Sequence, residues 1–270
     1  MKTQLMGILN ATPDSFYGKS RFFDVEAAVA RGQQIFSEGA DIIDIGGEST
    51  RPRNVYNNQD AGPVTVTEEL NRVIPVIKQL KPLISIPISI DTMKPEVAAQ
   101  AVESGAAWIN DVSGFRDPAM RAIAASAGTK ICVMHMHGDP FTMQLNPHYD
   151  EPIMDHLNHW FSDILEKLIK AGVRESNIIL DPGIGFGKTV AHNLEIIHNL
   201  PKLKSFGFPV LLGISRKSFM SKILNKPPTE LLPATLAMNT IAILSHVDFI
   251  RVHDVQAHRD VIDLLDTYTA

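Results

Sequence analysis

The sequence holds a single cysteine, Cys132. A disulfide framework within the chain and a cysteine-rich zinc site are therefore both excluded. Positive charge is not in excess: 25 Lys and Arg stand against 30 Asp and Glu, a formal net charge of -5. That argues against a protein that lives on nucleic acid or on an anionic membrane, while leaving room for one strong local anion site. No apolar run approaches the roughly 20 residues that a membrane-spanning helix needs. The first apolar stretch ends at Asn10, too short for a secretory signal and without a cleavage pattern, so a cytoplasmic protein is expected. Gly/Ser-rich linkers, low-complexity tracts, charge blocks and short repeats are also missing. Hydrophobic residues make 44% and charged residues 20%, which sets disorder, collagen and coiled coil aside.

What remains is an alternation of short apolar runs with longer amphipathic ones over 270 residues. Strands are expected at Leu5–Asn10, Asp41–Gly46, Pro87–Asp91, Trp108–Asp111, Ile131–His135, Ile178–Asp181, Val210–Ile214 and Phe249–His253. They are rich in Ile, Val and Leu, as strands covered on both faces are. Helices are expected at Asp24–Glu38, Thr67–Leu80, Lys94–Ser104, Pro118–Ala127, Pro152–Ala171, Val190–Leu200, Arg216–Leu224, Glu230–Ser245 and Val255–Asp266. Asp24 supplies an N-cap, and Gly39, Gly105 and Gly128 supply helix stops. Eight βα units in one chain of this length read as a single-domain α/β fold, a (β/α)8 TIM barrel spanning 1–270. An open doubly wound sheet is the competing reading. Against it, Asn10-Ala11-Thr12-Pro13 stands where a dinucleotide-binding sheet carries its glycines.

A barrel places chemistry at the C-terminal ends of its strands. Here those ends are polar: Asn10, Gly46 to Arg51, Asp91, Asn110-Asp111, His135, Asp181, Ser215 to Lys217, and Arg251 to Asp254. Any one of these could be an ordinary turn or helix cap. Together they ring one cavity with amides, carboxylates and cations. Asp91, Asn110, Asp181 and Lys217 suit a flat polar heterocycle with several N–H groups and a carbonyl. Arg51, Arg251, His253 and Asn10 suit a phosphate or pyrophosphate. Mg2+, which keeps most of its waters, could bridge Asn10 and phosphate oxygens. Ser215 to Ser218 open a helix whose free N–H groups suit a carboxylate, unless Ser215 is only an N-cap. The long loops Ala11–Phe23 and Arg51–Val66, with Phe16 and Tyr17, suit lids. His135-Met136-His137 has the spacing of a metallohydrolase barrel, but strand six offers no further histidine. The glycines of Asp181 to Lys188 lack P-loop spacing and suit close approach of backbone and Phe186 to a ligand.

These motifs resemble the dihydropteroate synthases, the pterin-binding barrels of folate biosynthesis. The resemblance covers essentially the whole chain. It is carried by Met6 to Phe16, Asp44 to Pro52, Ser89 to Thr92, Ile109 to Val112, Met134 to Tyr149, Asp181 to Lys188, Gly213 to Ser218 and Arg251 to Val255, in that order. It implies a transferase and sulfonamide target. The enzyme would condense 6-hydroxymethyl-7,8-dihydropterin pyrophosphate with 4-aminobenzoate, giving 7,8-dihydropteroate and pyrophosphate, with Mg2+ as cofactor and a homodimer through the later helices. The pterin would lie on Asp91, Asn110, Met134, Asp181, Gly213, Lys217 and Arg251. 4-Aminobenzoate would lie among Phe16, Thr50, Arg51, Pro52, Phe186 and Ser218. Pyrophosphate would meet Asn10, Thr50, Arg51, Arg251 and His253, with the metal at Asn10. Asp181, Lys217, Arg251 and His253 would carry catalysis. One departure stands out: Gly18 occupies the place of the family's first-loop aspartate, with Asp14 and Asp24 as the acids that could replace it. A degenerate module that binds pterin without turning it over is the alternative reading. A barrel that passes a methyl group from a folate to a corrinoid protein is a more distant one.

Overall fold

The computed structural model describes residues 2–12, 24–48, 64–140 and 142–269. Its strands are β1 (Gln4–Asn10), β2 (Ile42–Gly46), β3 (Ile88–Asp91), β4 (Trp108–Asp111), β5 (Lys130–Met134), β6 (Ile178–Asp181), β7 (Leu211–Leu212) and β8 (Phe249–Val252). All pairs are parallel, in the order β6-β5-β4-β3-β2-β1-β8-β7. The ring closes where Leu180 bridges Val210 and the Leu180 N–H donates to Pro209 O at 2.9 Å. This is the expected barrel. β7 is shorter than the expected Val210–Ile214, because its chain turns away at Gly213 toward a left-handed residue, Arg216. β5 stops at Met134 and β8 at Val252, each one residue short of its expected histidine.

Helices α1 (Val25–Ser37), α2 (Val66–Leu80), α3 (Pro95–Glu103), α4 (Pro118–Ala127) and α5 (Ile153–Lys170) follow the first five strands. Then come α6 (Val190–His198), α7 (Leu200–Lys204), α8 (Ser218–Leu224), α9 (Leu232–Leu244) and α10 (Val255–Thr269). Asp24 caps α1 by accepting from the Glu26 and Ala27 N–H groups at 2.9 and 3.3 Å. That carboxylate thus serves as the N-cap the sequence suggests. The expected helix Val190–Leu200 breaks at Asn199, and α7 restarts with Pro201 in its first turn, a place that suits proline because the lost N–H is unneeded there.

Two cores result from the period-2 alternation of the strands. Outward chains such as Ile43, Ile45, Ile88, Ile90 and Ile109 meet the helices in one large cluster. Inward chains Met6, Ile42, Trp108, Cys132, Ile179, Leu211 and Phe249 fill the lower barrel, with Trp108 edge-on to Phe249 at 5.2 Å. Each large apolar side chain fully buried there contributes about 1.5–3 kcal/mol. Two residues further along the same strands, the inward positions are Asn110, Met134, Asp181, Gly213 and Arg251. The plug thus forms the floor on which the polar mouth rests.

Candidate active site

Arg251 on β8 organises the mouth. Its Nε donates to Asp44 Oδ2 and its Nη2 to Asp91 Oδ2, both at 2.6 Å. The Asn110 amide donates to the same Asp44 oxygen at 3.0 Å. Asp44 is fully buried, and its Oδ1 has no partner among the described residues. Burial works against the guanidinium charge, but Asp44 and Asp91 outweigh it and hold Arg251 above its ordinary range. Burial, aided by the Asp44 carboxylate and opposed by Arg251, pushes Asp91 up to about 7. Burial also raises Asp181, against the pull of the Gly183 N–H and of Lys217.

The opposite wall comes from the loop after β6. The Gly183 N–H donates to Asp181 Oδ1 at 2.7 Å, turning the chain directly after the strand. Gly183 has φ +68°, and a Cβ there would lie 1.9 Å from His135 O. Only glycine fits such a left-handed residue pressed on backbone. Lys188, at the end of the loop, is buried. Its Nζ lies 2.8 Å from His135 Nδ1 and donates to Phe186 O at 3.1 Å. Burial lowers Lys188 to about 7, and burial together with Lys188 holds His135 well below its usual range. His135 therefore serves as partner to a lysine, whose ammonium form would repel the cation that a metallohydrolase site needs. Tyr149 donates to Gly187 O at 2.8 Å, and Gln144 donates to Gly185 O. So held, the Phe186 ring lies 4.0 Å from Lys217 Nζ and packs with Val112, Met134, Met136 and Met143.

Asp91, Asn110, Met134, Asp181, Gly213, Lys217 and Arg251 thus line one cavity, joined by Val112, Gly183, Ile184 and Phe186. A closed apolar floor, a sulfur-rich wall and a mouth of acids, amide and cations make a slot for a flat polar ring. The family model of pterin-binding enzymes matches residues 6–253. The chain belongs to the pterin-binding enzyme family. The dihydropteroate synthase of Clostridium beijerinckii is 44% identical over 256 residues, covering 94% of this chain and 90% of that one. A sulfonamide complex of the Yersinia pestis dihydropteroate synthase superposes with a TM-score of 0.91 at 38% identity, covering 100% of this chain and 95% of that one. The Xanthomonas albilineans enzyme in complex with 7,8-dihydropteroate gives a TM-score of 0.88 at 36% identity, over 100% and 94% of the two chains.

In this pterin-binding enzyme the residues expected at the site divide three ways. Those for the ring share the cavity. His253, Asn10 and Ser218 stand outside its lining, at the ends of β8 and β1 and the start of α8. Phe16, Thr50, Arg51 and Pro52, with Gly18 and most of both long loops, lie outside the described residues. Ser215 is not the cap of α8: the helix starts at Ser218 with Lys217 in the cap position. The Ser215 hydroxyl instead accepts from the His253 N–H at 3.2 Å and lies 3.0 Å from His253 Nδ1. Arg251, assigned by its residue type to phosphate as well as to the ring, donates to Asp44 and Asp91. Sequence reasoning passed over Asp44 as a site residue. Its signal was present: a carboxylate inside the apolar run Ile42-Ile43-Asp44-Ile45, two residues after an inward isoleucine.

Proposed function

We propose that this cavity is the pterin site of a dihydropteroate synthase. The enzyme is a transferase of folate synthesis that joins 6-hydroxymethyl-7,8-dihydropterin pyrophosphate to 4-aminobenzoate. The observation that carries the reading is the sharing of one slot by Asp91, Asn110, Asp181, Lys217 and Arg251. Carboxylates there accept from the ring N–H and amino groups, the lysine donates to the ring carbonyl edge, and Met134 and Phe186 cover its faces. Arg251, fixed between Asp44 and Asp91, lies against the ring.

In the reaction the bond from the pterin methylene carbon to oxygen breaks, and pyrophosphate leaves with the electron pair. The arylamine nitrogen supplies the pair of the new C–N bond and then loses a proton. The resulting anilinium is acidic enough to give that proton to water, so no strong general base is required. Asp181 stabilises the cationic pterin by a preorganised charge, and the reaction requires that water be kept from the cation. His253, Arg251, Arg51, Thr50 and Asn10 receive the pyrophosphate. Ser218 and the start of α8 take the aminobenzoate carboxylate, with Phe16, Pro52 and Phe186 around its ring.

Mg2+ belongs to the same proposal. Among the described residues no group of three His, Cys, Asp or Glu side chains could hold a metal. The half-buried Asn10 amide offers one hard neutral oxygen at the mouth. That donor set fits an ion which takes few protein ligands and completes its shell with water and phosphate oxygens. Bound there, it would supply neutralisation of the leaving pyrophosphate. A cytoplasmic homodimer completes the proposal. No helix among the described residues is long and apolar enough to cross a membrane. α9 carries no charged residue, yet Ile241 and Leu244 on it are 48% and 47% exposed, which suits a covered face.

The deciding experiment measures pyrophosphate release with Mg2+, with and without 4-aminobenzoate, while dihydropteroate is followed by chromatography. Coupled release and product are expected. Pterin binding without product would overturn the synthase in favour of the binding module.

A further inference from the structure

The segment carrying Lys217 and Ser218 leaves β7 in a shape its residue type resists. Arg216 has φ +55°, a left-handed conformation that side chains other than glycine avoid. It persists because every side of the residue is held. Its main-chain N–H donates to Thr235 Oγ1 on α9 at 3.2 Å, and Thr235 is fully buried. Its guanidinium grips Asp254 with both prongs, Nε to Oδ2 at 2.9 Å and Nη2 to Oδ1 at 2.7 Å. Nη1 donates to Pro228 O at 2.8 Å and to Thr229 O at 3.1 Å. None of these partners lines the cavity. The arginine of Ser215-Arg216-Lys217-Ser218 is therefore engaged by the protein itself, not by the cavity.

Asp254 directly follows His253, and Ser215 directly precedes Arg216. The Ser215–His253 and Arg216–Asp254 contacts are thus two adjacent rungs between the loops after β7 and β8. The far side of Asp254 is anchored as well. His258 Nδ1 lies 2.6 Å from Asp254 O, and His258 Nε2 lies 2.9 Å from the buried Asn239 amide on α9. Bidentate arginine–carboxylate pairs fix geometry as well as energy.

We infer that Arg216 and Asp254 are positioning residues that lock the loop bearing Lys217 and Ser218 to the loop bearing His253. The subsites for the aminobenzoate carboxylate and for pyrophosphate then form or fail together. The inference rests on the synthase reading above and deepens it. It requires effects across loops. Asp254 lies on the loop of His253, yet its loss must disturb a substrate assigned to the other loop.

The test uses the full chain with Asp254→Asn, Arg216→Gly and the double variant. Glycine keeps the left-handed backbone without strain and deletes the whole side chain, guanidinium included. Asp254→Asn should raise the KM for 4-aminobenzoate about tenfold, and Arg216→Gly should weaken pyrophosphate binding by calorimetry about tenfold, with the double variant no worse than the worse single. Effects confined to each residue's own loop, additive effects, or no effect in folded variants would overturn the lock. Should either single variant fail to fold by circular dichroism, Arg216→Lys keeps the charge, loses the fork and faces the same criteria. If the unaltered chain makes no dihydropteroate, the synthase reading falls, while the pyrophosphate titration still decides the lock.

Discussion

The lower barrel and its mouth are built from the same strands, on the same inward face, two residues apart. Trp108 lies below Asn110, Cys132 below Met134, Ile179 below Asp181 and Phe249 below Arg251. The lower set is apolar and self-satisfied. The upper set carries carboxylates that burial pushes toward their neutral forms and an Asp44 oxygen without a partner among the described residues. The backbone treats both levels alike, so the difference lies in side chains alone. The plug supplies stability that the mouth, with its buried charges, spends on readiness for a ligand.

Substitution at the two levels should separate these roles. Trp108→Ala empties the largest member of the plug and should cost about 3–5 kcal/mol of stability in denaturant unfolding. At low temperature the folded remainder should keep kcat/KM within about threefold, since the residue touches no substrate. Asp181→Asn should do the reverse. About 2–4 kcal/mol of transition-state stabilisation should vanish from kcat/KM with the melting temperature held, the range for one preorganised electrostatic group. A variant at position 181 with near-normal kcat/KM would break the contrast and remove the role given to that carboxylate.

A subtler comparison uses pH. Asp91 titrates near 7 in the fold and near 3.8 as an ordinary carboxyl. Between those values the folded chain binds the extra proton. The stability it confers is therefore complete below pH 3.8 and declines as pH rises to about 7. Pterin affinity should move the other way, rising between pH 6 and 8 by up to about tenfold as the ionised acceptor appears. Calorimetric titration across that range checks it, and Asp91→Asn should flatten the profile. The smallest effect is expected at Asp24→Ala, outside both levels. Losing the cap of α1 should cost about 1 kcal/mol of stability with kcat unchanged. A large fall in kcat would instead make Asp24 the substitute for the acid missing at Gly18.

Much of this was legible in the sequence. Asp91, Asn110 and Asp181 each end an apolar run, and a barrel sends such ends to one mouth, so the sequence alone brings them to one cavity. Boundaries were harder where the chain has local reasons to deviate, as at Pro201, or where β7 is cut short by the turn to Arg216. Pairings between distant residues left no local trace. Nothing near Lys188 announces that its ammonium meets His135, and nothing near Arg216 distinguishes a phosphate ligand from a partner of Asp254. Asp44 was visible as an anomaly, a charge in an all-apolar strand, but its purpose depends on Arg251, 207 positions away.

Cys132 gives the plug one more property. The chain's one thiol is wholly buried in the barrel floor, and burial pushes its pKa well up. A thiol so placed and so protonated is closed to alkylating reagents while the barrel stays shut. Its labelling rate is therefore a clock that ticks only when the floor opens, and it can time global opening without any engineered probe.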